Sequence, residues 1–172
     1  DPASPSICLY RAVVHNGIVE NYLVLRKRLE AKGYVFKSET DTEVLAHLIQ
    51  DCMPGGGGLA EAVVRALACV EGTYGIAVVS SDFPGVLVAA RKGSPIVIGD
   101  CAGEAIVASD VSAIVQHTDK VVFLDDGDVA VLTPGGAELR TLANSTVTRA
   151  STVVDWDPGA IEKGGFEHFM LK

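Results

Sequence analysis

Four short apolar runs in the second half of the chain limit its fold more than any other feature. Tyr74-Gly75-Ile76-Ala77-Val78-Val79, Val86-Leu87-Val88-Ala89-Ala90, Ile96-Val97-Ile98-Gly99 and Ala105-Ile106-Val107-Ala108 are separated by Gly, Pro, Asp or Ser and read as strands. A strand with one wet face alternates apolar and polar residues. These runs are apolar almost throughout, so both faces of each have to be covered. Two sheets packed together, with helices outside, meet that demand. A chain of 172 residues, 48% hydrophobic and of positive mean hydropathy, is long enough to bury such a core.

The first half carries a helical period instead. Tyr22, Leu25 and Leu29 recur at i, i+3, i+7, with Arg26, Lys27, Arg28, Glu30 and Lys32 on the other faces and Gly33 as a C-terminal stop. The basic trio is read as a solvated helix face. Tyr34 to Lys37 is expected to be a short strand. Thr40-x-x-Glu43 then has the form of a capping box, opening a helix that buries Val44, Leu45, Leu48, Ile49 and Cys52. Gly55 to Gly58 lacks the Lys-Ser/Thr ending of a phosphate loop and reads as a hinge between helices. Leu59, Val63, Ala66, Leu67 and Val70 form the next stripe, ended by Glu71-Gly72. With no internal repeat and no dividing linker, residues 1–172 are expected to form one domain. The Pro- and Ser-rich lead-in Asp1 to Ser6 is expected to be extended, and a start at Asp1 suggests a sequence that begins part-way through a longer product.

Other patterns narrow the function. Fourteen basic residues against twenty-two acidic ones, dispersed along the chain, give a net charge of −8 and disfavour a nucleic-acid partner. Cys8, Cys52, Cys69 and Cys101 are widely spaced, without the C-x-x-C of a zinc ribbon or redox pair. No apolar run approaches the ~20 residues that span a bilayer, and a cytoplasmic location is expected. Val121 to Leu124, Asp125-Asp126-Gly127-Asp128 and Val129 to Leu132 read as a hairpin with an acidic turn, too short for an EF-hand loop, so no metal is assigned. Arg91-Lys92-Gly93-Ser94-Pro95 reads as another hairpin turn, and Ser109-Asp110 as an N-cap for a helix over Val111 to Val115. His15, His47, His117 and His168 show no ligand spacing and read as surface or packed imidazoles.

Chemistry concentrates in Val13-Val14-His15-Asn16-Gly17. Leu9 to Val14 reads as a strand feeding Asn16-Gly17. There the Asn16 amide and the Gly17 N–H would be two donors at a point where backbone approaches a ligand closely, which is the layout of an oxyanion hole. The same dipeptide is also an ordinary turn between strand and helix. Asp41 has two readings as well. In the first turn of a helix a carboxylate is stabilised by the dipole whatever else it does.

His15-Asn16-Gly17-Ile18-Val19-Glu20-Asn21, followed by Ser38-Glu39-Thr40-Asp41-Thr42-Glu43-Val44, resembles the glutaminase domain of the glutamine–fructose-6-phosphate aminotransferase family, N-terminal-nucleophile (class II) glutamine amidotransferases. The resemblance runs from about Val13 to Lys172 and includes Arg91-x-Gly93-Ser94-Pro95. The tail, Asp155-Trp156-Asp157 and Glu162 to Lys172, is similar to the segment that leads into the sugar-isomerase half in that family. Amidophosphoribosyltransferases share His-Asn-Gly and a related Asp-Thr-Glu sequence but not this ending.

The resemblance implies an α/β, Ntn-hydrolase-like αββα sandwich of two packed, mainly antiparallel sheets with outer helices, here lacking its first strands. It implies Asn16 and Gly17 as catalytic oxyanion donors and Asp41 as the substrate-binding partner of the α-amino group of L-glutamine. It implies no cofactor, and an isomerase domain of the same parent chain as the receiver of ammonia. The family's cysteine nucleophile and its Arg-Trp and His-Pro loops have no counterpart here, and Cys8 has no free α-amine. The polypeptide by itself is therefore expected to be inactive, and its uncovered sheet edge favours a homo-oligomer. A non-catalytic module that binds glutamine, or docks the isomerase, is the alternative from another class.

Overall fold

Both faces of the central strands are buried, as their composition requires. A computed structural model describes residues 11–53, 57–101 and 104–154. In chain order, β1 (Arg11–Val19) is followed by α1 (Tyr22–Ala31), α2 (Asp41–Cys52) and α3 (Leu59–Leu67). Then come β2 (Gly72–Ser80), β3 (Leu87–Lys92), β4 (Val97–Cys101), β5 (Glu104–Ala108), a 3-10 turn (Val111–Ala113), β6 (Lys120–Phe123), β7 (Asp128–Thr133), β8 (Gly136–Thr141) and β9 (Thr152–Val153). One sheet has the order β1-β2-β3-β7-β8, the other β5-β4-β6-β9. All pairings between these strands are antiparallel.

Alternation along each strand sorts the side chains between layers. Val88 and Ala90 of β3 pack with Leu45, Leu48 and Val63 of the helices, while Ala89 between them joins Ile98, Leu124 and Leu132 in the space between the sheets. The helices thus cover the outer face of the first sheet. On the outer face of the second, Ile114, just past the 3-10 turn, packs on Val97 and Val121. A Cβ on Gly99 would stand 2.4 Å from Ile114, so only glycine admits that contact. The result is α/β, two packed antiparallel sheets. Among the described residues the α-helices lie on the first sheet, and the segment expected to be a helix at 111–115 is a single 3-10 turn. Asp110 caps it through Ser112 N–H at 2.7 Å.

The structure departs from sequence expectation at several joints, each for a local reason. β1 does not end at Asn16-Gly17. Its register with β2 runs unbroken from Arg11↔Ser80 to Val19↔Gly72, and the turn comes at Glu20 and Asn21. Gly17 keeps the strand going by taking φ +138°, and a Cβ there would stand 2.3 Å from the Thr73 carbonyl oxygen. Tyr34 to Phe36 form no strand. The Tyr34 N–H is donated back to the Leu29 carbonyl, the Lys37 N–H goes to Glu43, and Phe36 lies between His47 and the Arg26 guanidinium.

The two expected hairpins are crossovers between sheets, since β3 and β7 belong to the first and β4 and β6 to the second. They are stitched together: Gly93 N–H donates to Asp126 at 2.9 Å, Gly127 N–H to the Arg91 carbonyl at 2.8 Å, and Arg91 to the Leu124 carbonyl. Cys8, Gly55 and Gly56 of the glycine hinge and the tail from Asp155 lie outside the described residues.

Candidate functional site

Among the described residues β1 is an edge strand of the first sheet, and its side chains alternate between two environments. Val13 and Val19 pack with the helical core, and His15 points the same way. Val14, Asn16 and Ile18 stand on the opposite, exposed face, where Val14 is 71% and Ile18 66% accessible.

α2 is aimed at this strand. Its N-cap, Thr40, has extended backbone, and its hydroxyl accepts the Glu43 N–H at 3.4 Å. The capping box is not reciprocal, however. The Glu43 carboxylate accepts instead from Lys37 N–H at 2.7 Å, Ser38 N–H at 2.6 Å and the Ser38 hydroxyl at 2.5 Å. The Ser38 hydroxyl and then the Lys37 N–H hold its carboxyl down at about 2. Glu43 is thereby committed to shaping the 37–40 loop.

Asp41 is free of that loop and reaches β1. Its Oδ2 accepts the Val19 N–H at 3.0 Å, and its Oδ1 is 3.8 Å from His15 Nδ1. The carboxylate therefore spans β1 from residue 15 to residue 19, alongside Gly17, and 26% of the Asp41 side chain stays open to solvent. No Lys or Arg pairs with it among the described residues. The three residues singled out by sequence are thus brought to one segment of β1. Asn16 lies on one face of the edge strand and Asp41 on the other, with Gly17 between.

From the sequence alone His15 reads as a surface or packed imidazole. Its side chain is 2% exposed and faces Asp41 and, at 3.3 Å from Nδ1, the Thr42 hydroxyl. The two-residue period of a strand was the available signal, because it puts His15, Gly17 and Val19 on one side.

A carboxylate at a helix N-terminus, beside a glycine on a free strand edge with an exposed asparagine, can hold an ammonium and polarise a carbonyl in one small ligand. Comparison with known proteins identifies the family. The model of the glutamine amidotransferase domain matches residues 5–116, and the chain belongs to that family. More particularly, it is 52% identical over 163 residues to the glutamine–fructose-6-phosphate aminotransferase [isomerizing] of Chlorobaculum tepidum, and 48% identical over 161 residues to that of Methanothermobacter thermautotrophicus. These alignments take in 94% of this chain but 26% and 27% of those proteins, so the chain spans about a quarter of their length. Among solved structures, the glutamine phosphoribosylpyrophosphate amidotransferase of B. subtilis superposes with a TM-score of 0.68 at 25% identity, over 78% of this chain and 31% of that one.

Proposed function

We propose that this chain is the glutaminase part of a glutamine–fructose-6-phosphate aminotransferase, opening the side-chain amide of L-glutamine. The ammonia released goes to fructose 6-phosphate in an isomerase domain of the same parent chain. The observation that carries this reading is the Asp41 carboxylate, held against β1 by one N–H and without a Lys or Arg partner among the described residues.

A glutamine laid along the free edge of β1 would meet Asp41 with its α-ammonium. Asn16 and Gly17 would meet its amide carbonyl. Successive N–H groups of an antiparallel ladder alternate between edges. The Glu20 N–H goes to Glu71 on the β2 side and the Val19 N–H to Asp41, which supports placing the Gly17 N–H on the free edge too. A thiolate attacking the amide carbon forms a C–S bond and drives the carbonyl electrons onto oxygen. The Asn16 amide and the Gly17 N–H would stabilise that oxyanion. Collapse breaks the C–N bond, the nitrogen leaves as ammonia after taking a proton, and water then cleaves the γ-glutamyl thioester. The cysteine that the family resemblance implies is not among the described residues. Cys52 does not substitute for it, because eleven residues of helix at about 1.5 Å each put it roughly 16 Å from Asp41.

The fold likeness to phosphoribosylpyrophosphate amidotransferase supports a second reading, with the same glutaminase chemistry and another acceptor. Sequence similarity twice as high favours the hexosamine enzyme. The edge of β1, unpaired among the described residues, and the exposed Val14 and Ile18 support self-association, checked by sedimentation.

The test is Asp41→Ala in the full-length parent enzyme. Loss of one charge-assisted contact is worth about 1.5–3 kcal/mol, so the KM for glutamine should rise roughly 10- to 150-fold. An unchanged KM would return Asp41 to the role of a helix-end carboxylate.

A further inference from the structure

The His15 imidazole is buried to 2% exposure, and its Nε2 has no hydrogen-bond partner among the described residues. Its Nδ1 faces two oxygens, Thr42 Oγ1 at 3.3 Å and Asp41 Oδ1 at 3.8 Å. Of the two tautomers, a proton on Nε2 would bury an unpaired N–H, which native interiors rarely tolerate. A proton on Nδ1 points instead at the first two residues of α2. The ring therefore presents a donor to the Asp41–Thr42 step, from a strand position directly before Asn16.

We propose that His15 is the positioning residue for Asp41: its Nδ1–H, bonded to Thr42 and directed at Asp41, fixes the carboxylate rotamer that receives the α-ammonium of the substrate. This rests on the proposed role of Asp41. With Oδ2 held by the Val19 N–H alone, the carboxylate could still turn about that contact. The Nδ1–H, bonded to the adjacent Thr42 and 3.8 Å from Oδ1, limits that turning by electrostatic attraction rather than by a direct hydrogen bond. His15 does not itself touch the substrate in this arrangement. It acts through Asp41, and its effect belongs in KM rather than kcat.

The experiment compares glutamine with 4-carbamoylbutanoate, which has the same amide but no α-ammonium, in the full-length parent enzyme. His15→Ala should raise the KM for glutamine roughly tenfold, the size of one net hydrogen bond, while the KM for the deamino analogue stays put. His15→Asn, whose amide nitrogen stands near the place of Nδ1, should recover most of the glutamine affinity. His15→Gln, whose amide reaches the Nε2 position, should not. In an Asp41→Ala background His15→Ala should add nothing to KM. If Asp41→Ala itself leaves KM unmoved, the proposed function fails. If Asp41→Ala raises KM while His15→Gln behaves as wild type, the positioning role is overturned and the function stands. An equal rise for glutamine and the analogue in His15→Gln likewise overturns it. The Asn and Gln variants keep the question decidable if the alanine variant does not fold.

Discussion

Two acidic clusters in this chain use the same side chain and end in opposite states. At the start of β7, Asp128 is 1% exposed and accepts from Arg149 Nε and Nη2, both at 2.8 Å, and from the Asp125 N–H at 2.8 Å. Asp126 accepts the Gly93 N–H and pairs with Arg91 at 3.2 Å, and Asp125 pairs with Arg149 at 3.3 Å. At the start of α2, Asp41 has one backbone N–H and a histidine at 3.8 Å. The first cluster is saturated with guanidinium and tethers one crossover to the segment beyond β8. The second has no Lys or Arg partner among the described residues, which is the condition under which a carboxylate has something to offer a ligand. The acidic run that invites a metal by its sequence is thus architecture.

Removing the saturated carboxylate should have the largest effect on stability. Asp128→Ala leaves Arg149 without its buried partner, a loss of about 3 kcal/mol at the lower end for broken buried pairs, because Arg149 is partly exposed and keeps Asp125. In a domain of this size that lowers Tm by roughly 6–12 °C. Asp41→Ala, losing one hydrogen bond, should cost about 1 kcal/mol in the same melt. Comparable losses in the two variants would erase the distinction drawn here.

A smaller effect should appear in acid. Burial alone would raise the Asp128 carboxyl, but hydrogen bonds from Arg149 and the Asp125 N–H and the charges of Arg149 and Arg91 hold it below its ordinary value. Glu43 is held down too, from 4.5 to about 2. For a carboxyl depressed in the folded state, the stabilisation is complete above the unfolded value and is lost as pH falls through the folded one. Melting temperature should therefore decline between about pH 4.5 and pH 2. Glu43→Gln should lower Tm at neutral pH and flatten part of that decline. A Glu43→Gln profile parallel to wild type would show that the Ser38 and Lys37 contacts contribute nothing in solution.

Much of this was legible in the sequence, for reasons that differ by element. The apolar runs at 74–79 and 86–90 announce doubly covered strands because burial of both faces leaves no polar positions. Leu25 and Leu29, or Leu45, Leu48 and Ile49, announce helices by spacing alone. The crossovers did not show, because Gly93 and Gly127 look the same whether a turn returns to the same sheet or leaves it. What distinguishes them is contact between residues 91–93 and 124–127, which no local pattern encodes. Asn16-Gly17 misleads for a related reason. The dipeptide has the chemistry of a turn, but nine consecutive pairings with β2 keep it in the strand. His15 was hidden because its partner Asp41 lies 26 positions on and meets it only once α2 is docked.

The strand placement also makes the central claim easier to test. Asn16 is exposed in a regular ladder opposite Gly75, and among described residues other than glycine only Asn144 has positive φ. Alanine at 16 therefore carries no backbone strain. The decisive measurement is kcat for glutamine hydrolysis and Tm on one sample of full-length Asn16→Ala enzyme. If the Asn16 amide stabilises the oxyanion, kcat should fall by about two to three orders of magnitude, with KM little changed and Tm within a few degrees of wild type. A turnover number that survives the substitution would show that this end of β1 is a sheet edge and not a catalytic one.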